Sequence, residues 1–88
     1  MAKFTSEQFR AAVEKAIELK GACLRILGYE ILPDRVHINV KSRSGKSNHQ
    51  ISYYMDEEGH ISRSRCYYGE TGVTILGNEI IDQLWGPK

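Results

Sequence analysis

One change of period governs what this chain can fold into. Apolar residues recur at helical spacing near the start and at every second position through the middle. Phe9, Ala12, Val13, Ala16 and Ile17 form a single stripe, with Arg10, Glu14, Lys15 and Glu18 on the other faces. From Tyr29 onward the repeat is two. Val36, Ile38 and Val40 alternate with His37, Asn39 and Lys41, and Ile51, Tyr53 and Met55 alternate with Gln50, Ser52 and Tyr54. A helix with one apolar stripe and strands with one apolar face can bury each other, which is the α+β solution.

Local signals set the boundaries. Thr5 stands at an N-cap and Gln8 three residues later completes a capping box, with Phe4 and Phe9 placed as a hydrophobic staple. The stripe continues in phase through Cys23, Leu24 and Leu27, which predicts a helix to about Leu27 with Gly28 as its cap. The competing reading stops the helix at Gly21 and starts a strand at Ala22. Strands are predicted over Tyr29–Leu32, Arg35–Ser42 and His49–Met55, separated by Pro33-Asp34 and by the polar loop Arg43–Asn48. Asp56-Glu57-Glu58-Gly59 closes a hairpin, Gly59 supplying a positive φ.

His60–Tyr68 reads as a fourth strand without an ordinary core face. Ile61, Arg63, Arg65 and Tyr67 share one side, and Ser62, Ser64, Cys66 and Tyr68 the other. The small residues are placed under a helix, with Arg63, Arg65 and Tyr67 outside. Val73, Leu76, Ile80 and Leu84 fit a helix opening at a Thr71 N-cap; the alternative is a fifth strand over Val73–Leu76 and a short helix after Asn78. The expected architecture is a single domain, residues 1–88, with a three- or four-stranded antiparallel meander and both helices on one face, in the order αββββα.

Charge and cysteine usage narrow the function classes. The net charge is +1, with a basic middle: residues 35–65 carry Arg35, Lys41, Arg43, Lys46, Arg63 and Arg65 against Asp56, Glu57 and Glu58. That bias is weaker than a dedicated nucleic-acid binder usually shows. The polar stretch after Lys3 lacks the apolar core of a signal peptide, and no apolar run reaches the roughly 20 residues that span a bilayer. Cys23 and Cys66 read as buried free thiols, with one bridge between them as the alternative. Cytoplasmic location and no membrane partner are the expectations.

The chemistry-bearing motifs are poor. Gly45-Lys46-Ser47 is like the end of a phosphate-binding loop, but Val40 stands where the first glycine belongs and an alternating strand follows instead of a helix. His37, His49, His60 and the two cysteines show no short zinc spacing, although His49 and His60 flank one hairpin. Asp56-Glu57-Glu58 lacks the alternating oxygen ligands of a calcium loop. Cys66, between Arg65 and Tyr67, has no glycine-rich oxyanion turn beside it. No catalytic residue, metal site or cofactor is expected.

What remains is the sheet face opposite the helices. His37, Asn39 and Lys41 point there if Val36, Ile38 and Val40 point inward, joined by Arg63, Arg65, Tyr67 and either Tyr53 or Tyr54. Arginine and tyrosine are enriched at protein-interface hot spots. The candidate binding set is His37, Asn39, Lys41, Arg43, Lys46, Tyr54, Arg63, Arg65 and Tyr67. It suits a non-catalytic accessory, adaptor or inhibitor protein, of a kind common among phage and mobile-element products, with a protein partner. The alternative is nucleic-acid binding by Lys41, Arg43, Lys46, Arg63 and Arg65. A homodimer through a strand edge, with Tyr29–Leu32 as that edge, fits either. The order helix, three strands, helix resembles the double-stranded-RNA-binding domain. That family carries a lysine-rich signature at the start of its last helix. The equivalent stretch here, Tyr68-Gly69-Glu70-Thr71-Gly72-Val73, has an acid and no lysine, so the chain is not placed in it.

Overall fold

The computed structural model describes residues 3–42, 45–64 and 70–86. Helix α1 spans Ser6–Lys20 and begins at the capping box read from the sequence. Gln8 N donates to Thr5 Oγ1 at 3.1 Å, and Thr5 N donates to Gln8 Oε1 at 2.8 Å. Two of the donors that a helix start leaves unpaired are thereby satisfied. Phe9, Ala12, Val13 and Ala16 form its buried stripe.

The helix stops at Lys20, which corrects the expected run to Leu27. Gly21 keeps right-handed helical dihedrals (φ −61°, ψ −25°) and opens a 3₁₀ turn, Gly21–Cys23; it is no left-handed cap. Pairing explains the early stop. Strand β1 runs Ile26–Leu32, and just before it the carbonyl of Arg25 accepts from Lys41 N at 2.8 Å. These residues complete a ladder along the whole of β2, outweighing the helical phase of Leu24 and Leu27. Leu24 is buried, whereas Leu27 is 55% exposed and belongs to no apolar stripe. Gly28 lies inside the strand beside a register shift.

The sheet is a meander in the order β1-β2-β3-β4, antiparallel throughout, with β2 at Arg35–Lys41, β3 at Asn48–Met55 and β4 at Ile61–Arg63. Pro33-Asp34 forms the two-residue turn between Leu32 and Arg35. Between β2 and β3, Ser42 N donates to Ser47 O and Ser47 N to Ser42 Oγ. Between β3 and β4, Asp56 Oδ1 accepts from both Glu58 N and His60 N at 2.9 Å, and Gly59 takes φ +84°. Strand β4 covers Ile61–Arg63, without His60 and Ser64; Arg65, Cys66, Tyr67 and Tyr68 of the expected His60–Tyr68 lie outside the described residues.

Helix α2 spans Glu70–Trp85, so residues 72–77 are helix and Thr71 sits inside its first turn, not at a cap. Its buried face is the expected Val73, Leu76, Ile80 and Leu84. Phe4, ahead of α1, meets the Trp85 ring edge-on at 5.1 Å, and Trp85 Nε1 donates to Gly59 O at 2.8 Å. The helices therefore lie antiparallel, start of one at end of the other, on one side of the sheet. Val36, Ile38, Val40, Ile51 and Tyr53 face them, fully buried. The Tyr53 hydroxyl donates to Val73 O at 2.6 Å, which satisfies the one polar atom this ring brings into the core.

Candidate functional site: the open sheet face

Because β-strand side chains alternate, burying Val36, Ile38, Val40, Ile51 and Tyr53 under the helices fixes what stands on the other side. Cross-strand register arranges that side in rows. Leu32, Arg35, Tyr54 and Ser62 form the first, and Glu30, His37 and Ser52 the second. Gly28, Asn39 and Gln50 form the third, and Lys41 and Asn48 the last. Neither helix covers these residues.

The upper rows are held in place. Arg35 Nε and Nη2 donate to the two Asp34 carboxylate oxygens at 3.0 and 3.3 Å, and the guanidinium lies 5.4 Å from the centre of the Tyr54 ring. The Arg35 hydrogen bonds hold the Asp34 carboxyl below its ordinary value, and Asp34 in turn raises Arg35. His37 Nδ1 and Ser52 Oγ share a hydrogen bond of 2.6 Å. Ser52 N donates to Ser64 Oγ at 3.0 Å, which ties the row to the segment after β4. An arginine held over a tyrosine ring and oriented by a carboxylate loses little rotamer freedom when a partner arrives.

The lower rows behave differently. Asn39 and Gln50 stand directly opposite each other, both exposed, and Gly28 beside Asn39 contributes no side chain. The result is a shallow depression of about 390 Å³ lined by Leu27, Gly28, Asn39, Asn48, His49 and Gln50. Side-chain amides offer donors and acceptors in one plane. They suit the N–H and C=O groups of a peptide.

Of the sequence-derived site residues, His37, Asn39, Lys41 and Tyr54 stand together on this face, with Tyr53 the buried member of the tyrosine pair. Lys46 lies in the exposed loop beyond the sheet end. Arg63 is a correction. It pairs with Tyr53 and Ser62 pairs with Tyr54, so Arg63 stands on the helix side and Ser62 on the open side. Arg63 lines a groove of about 240 Å³ with Ile61, Val73, Gly77 and Ile81. Arg43, Arg65 and Tyr67 lie outside the described residues. Arg35 and Gln50 were missed as site residues, although the alternation of Ile51 and Tyr53 with Gln50 was the signal for the second. Ser52 points the same way but is buried at 4% exposure and serves to hold His37.

His49 and His60 do not meet. His49 pairs with Val40, while His60 follows Gly59 at the opposite end of β3, roughly 20 Å away at strand rise. His60 stacks on Trp85 at 6.2 Å. Among the described residues no group of three His, Cys, Asp or Glu side chains is placed to hold a metal ion. No described helix is long and apolar enough to cross a membrane. Compared with protein-family models, with curated proteins and with solved structures, the chain matches none.

Proposed function

We propose that this chain is a non-catalytic protein-interaction module, an accessory, adaptor or inhibitor protein of the cytoplasm, that binds its partner on the open sheet face. The observation that carries the reading is that face's chemistry: side-chain amides, hydroxyls and a tyrosine braced by an arginine, on a surface that neither helix covers. Tyrosine and arginine are the anchors over-represented at protein interfaces. Among the described residues on the face, Arg35 and Lys41 are the cations, and Glu30 is an anion on the same surface.

That composition weakens the nucleic-acid reading. Lys41 and Arg63, two members of its basic cluster, stand on opposite sides of the sheet. Phosphate binding draws on several cations along one track.

Dimensions constrain the partner. Four strands and about seven residues give a face on the order of 20 by 23 Å. In projection that is below the roughly 800 Å² that each side of a standard interface buries. A partner that binds stably therefore also reaches past the face, onto the β1 edge or the β2–β3 loop. The test is capture of partners from a lysate with nuclease-treated and untreated arms, each washed at low and then high salt. The proposal expects a discrete protein that survives high salt in both arms. Nucleic acid held at low salt and released at high salt, with no protein retained after nuclease, overturns it.

A further inference from the structure

The meander leaves β1 as an edge along its whole length, and edge strands invite pairing with other chains. The two-residue turn makes Leu32 and Arg35 the closing hydrogen-bonded pair. By alternation Glu30 and Gly28 then turn their main-chain groups toward β2, and Ile31 and Tyr29 turn theirs outward. A side chain from α1 occupies one of these outward groups: Arg10 Nη2 donates to the Ile31 carbonyl at 3.0 Å. No described residue hydrogen-bonds to Tyr29 on the outer side. Its side chain is 46% exposed, beside Leu27 at 55%.

We propose that Arg10 is a built-in block on the β1 edge, and that removing it lets β1 pair antiparallel with β1 of a second copy. The edge is its own best complement. A two-fold axis through Tyr29 sets this residue opposite itself, so that both outward groups find partners in one rung. The same register sets Glu30 opposite Gly28, where an added side chain would meet nothing within 4 Å, so there is room for it. Leu27 falls opposite Ile31, extending the apolar contact. The next rung on either side of the axis needs the Ile31 carbonyl, and Arg10 holds that atom in both copies. With Arg10 in place its guanidinium, 3.0 Å from that oxygen, takes one of the two lone pairs and crowds an incoming strand; without it the Ile31 carbonyl is open to the second copy.

Sedimentation across a concentration series tests this on three full-length proteins: wild type, Arg10→Met, and Arg10→Met with Tyr29→Pro. Methionine keeps the stem of the side chain and removes the guanidinium. Proline at an outward-facing edge position deletes the donor without touching the β1–β2 ladder. Arg10→Met is expected to dimerise about tenfold or more tightly than wild type. Its Tyr29 amide should gain hydrogen-exchange protection as concentration rises, and the added Tyr29→Pro should restore the monomer. A folded Arg10→Met that self-associates no more than wild type overturns the proposal. So does a dimer indifferent to Tyr29→Pro. Should Arg10→Met fail to fold, Tyr29→Pro alone decides: it must abolish whatever weak self-association the wild type shows at high concentration, and unchanged association refutes the edge.

Discussion

Two glycines with positive φ separate a backbone effect from a packing effect. Gly45 has φ +76° and Gly59 has φ +84°. Alanine in this region costs roughly 1–2 kcal/mol from the clash of its Cβ with the following carbonyl. At Gly45 that is the whole effect, because an added Cβ would lie 3.6 Å from Lys41 Cε, an ordinary contact. At Gly59 the same Cβ would lie 2.6 Å from Phe4 Cε2, 2.7 Å from Phe4 Cδ2 and 3.0 Å from Trp85 Cζ2. The Phe4 ring cannot retreat freely: it is half-buried against Trp85, whose indole N–H is tied to the Gly59 carbonyl. Overpacking of this kind adds roughly 1–3 kcal/mol. Gly59→Ala should therefore lose about 2–5 kcal/mol and Gly45→Ala about 1–2. Urea unfolding followed by far-UV circular dichroism measures both, and the fluorescence of Trp85, the only tryptophan, reports the Gly59 neighbourhood. In a Phe4→Leu background the excess at Gly59 should shrink, since the ring atoms responsible are gone. Equal losses at the two glycines, within about 0.5 kcal/mol, would refute the claim that Phe4 and Trp85 close over this turn.

Two further outcomes follow from the same geometry. Thr5→Ala removes the acceptor for Gln8 N and should lower stability by about 1 kcal/mol, with Thr5→Ser close to wild type in a thermal melt. The Asp34 carboxyl, hydrogen-bonded by Arg35, should titrate below its ordinary 3.8. Its ionised form is favoured by folding, so the small contribution is complete above 3.8 and is lost as pH falls through the lower folded value. Carbon-13 NMR titration of Asp34 checks this, and Arg35→Gln should bring the midpoint back up.

Much of the fold was legible because each element carries its own signal. Thr5 and Gln8 announce a helix start, alternation of Val36, Ile38 and Val40 announces a strand, and Val73, Leu76, Ile80 and Leu84 announce the second helix. The end of α1 was not legible. Leu24 and Leu27 keep helical phase, and only the ladder to β2, a contact distant in sequence, carries the expected Tyr29–Leu32 strand back to Ile26. The side taken by Arg63 failed for a related reason. Alternation says that Arg63 and Ile61 share a face but not which face is inward, and neither face of β4 is apolar enough to decide. The register opposite Met55, Tyr54 and Tyr53 decides it. On the longer strands one face is plainly apolar, so His37, Asn39 and Lys41 could be read outward from alternation, whereas the choice between Tyr53 and Tyr54 is made by the buried Tyr53 opposite Val36.

The central claim is that the open sheet face is the one that meets a protein. Gln50 stands exposed in the middle of that face, opposite Asn39, and Glu14 is exposed on α1. A photo-crosslinking amino acid at each position, in otherwise identical full-length baits irradiated in a native lysate, tests the claim most directly. Crosslinking from Gln50 to one discrete protein, with none from Glu14, is the predicted result. Crosslinking from Glu14 but not from Gln50, or from Gln50 to nucleic acid alone, would contradict it.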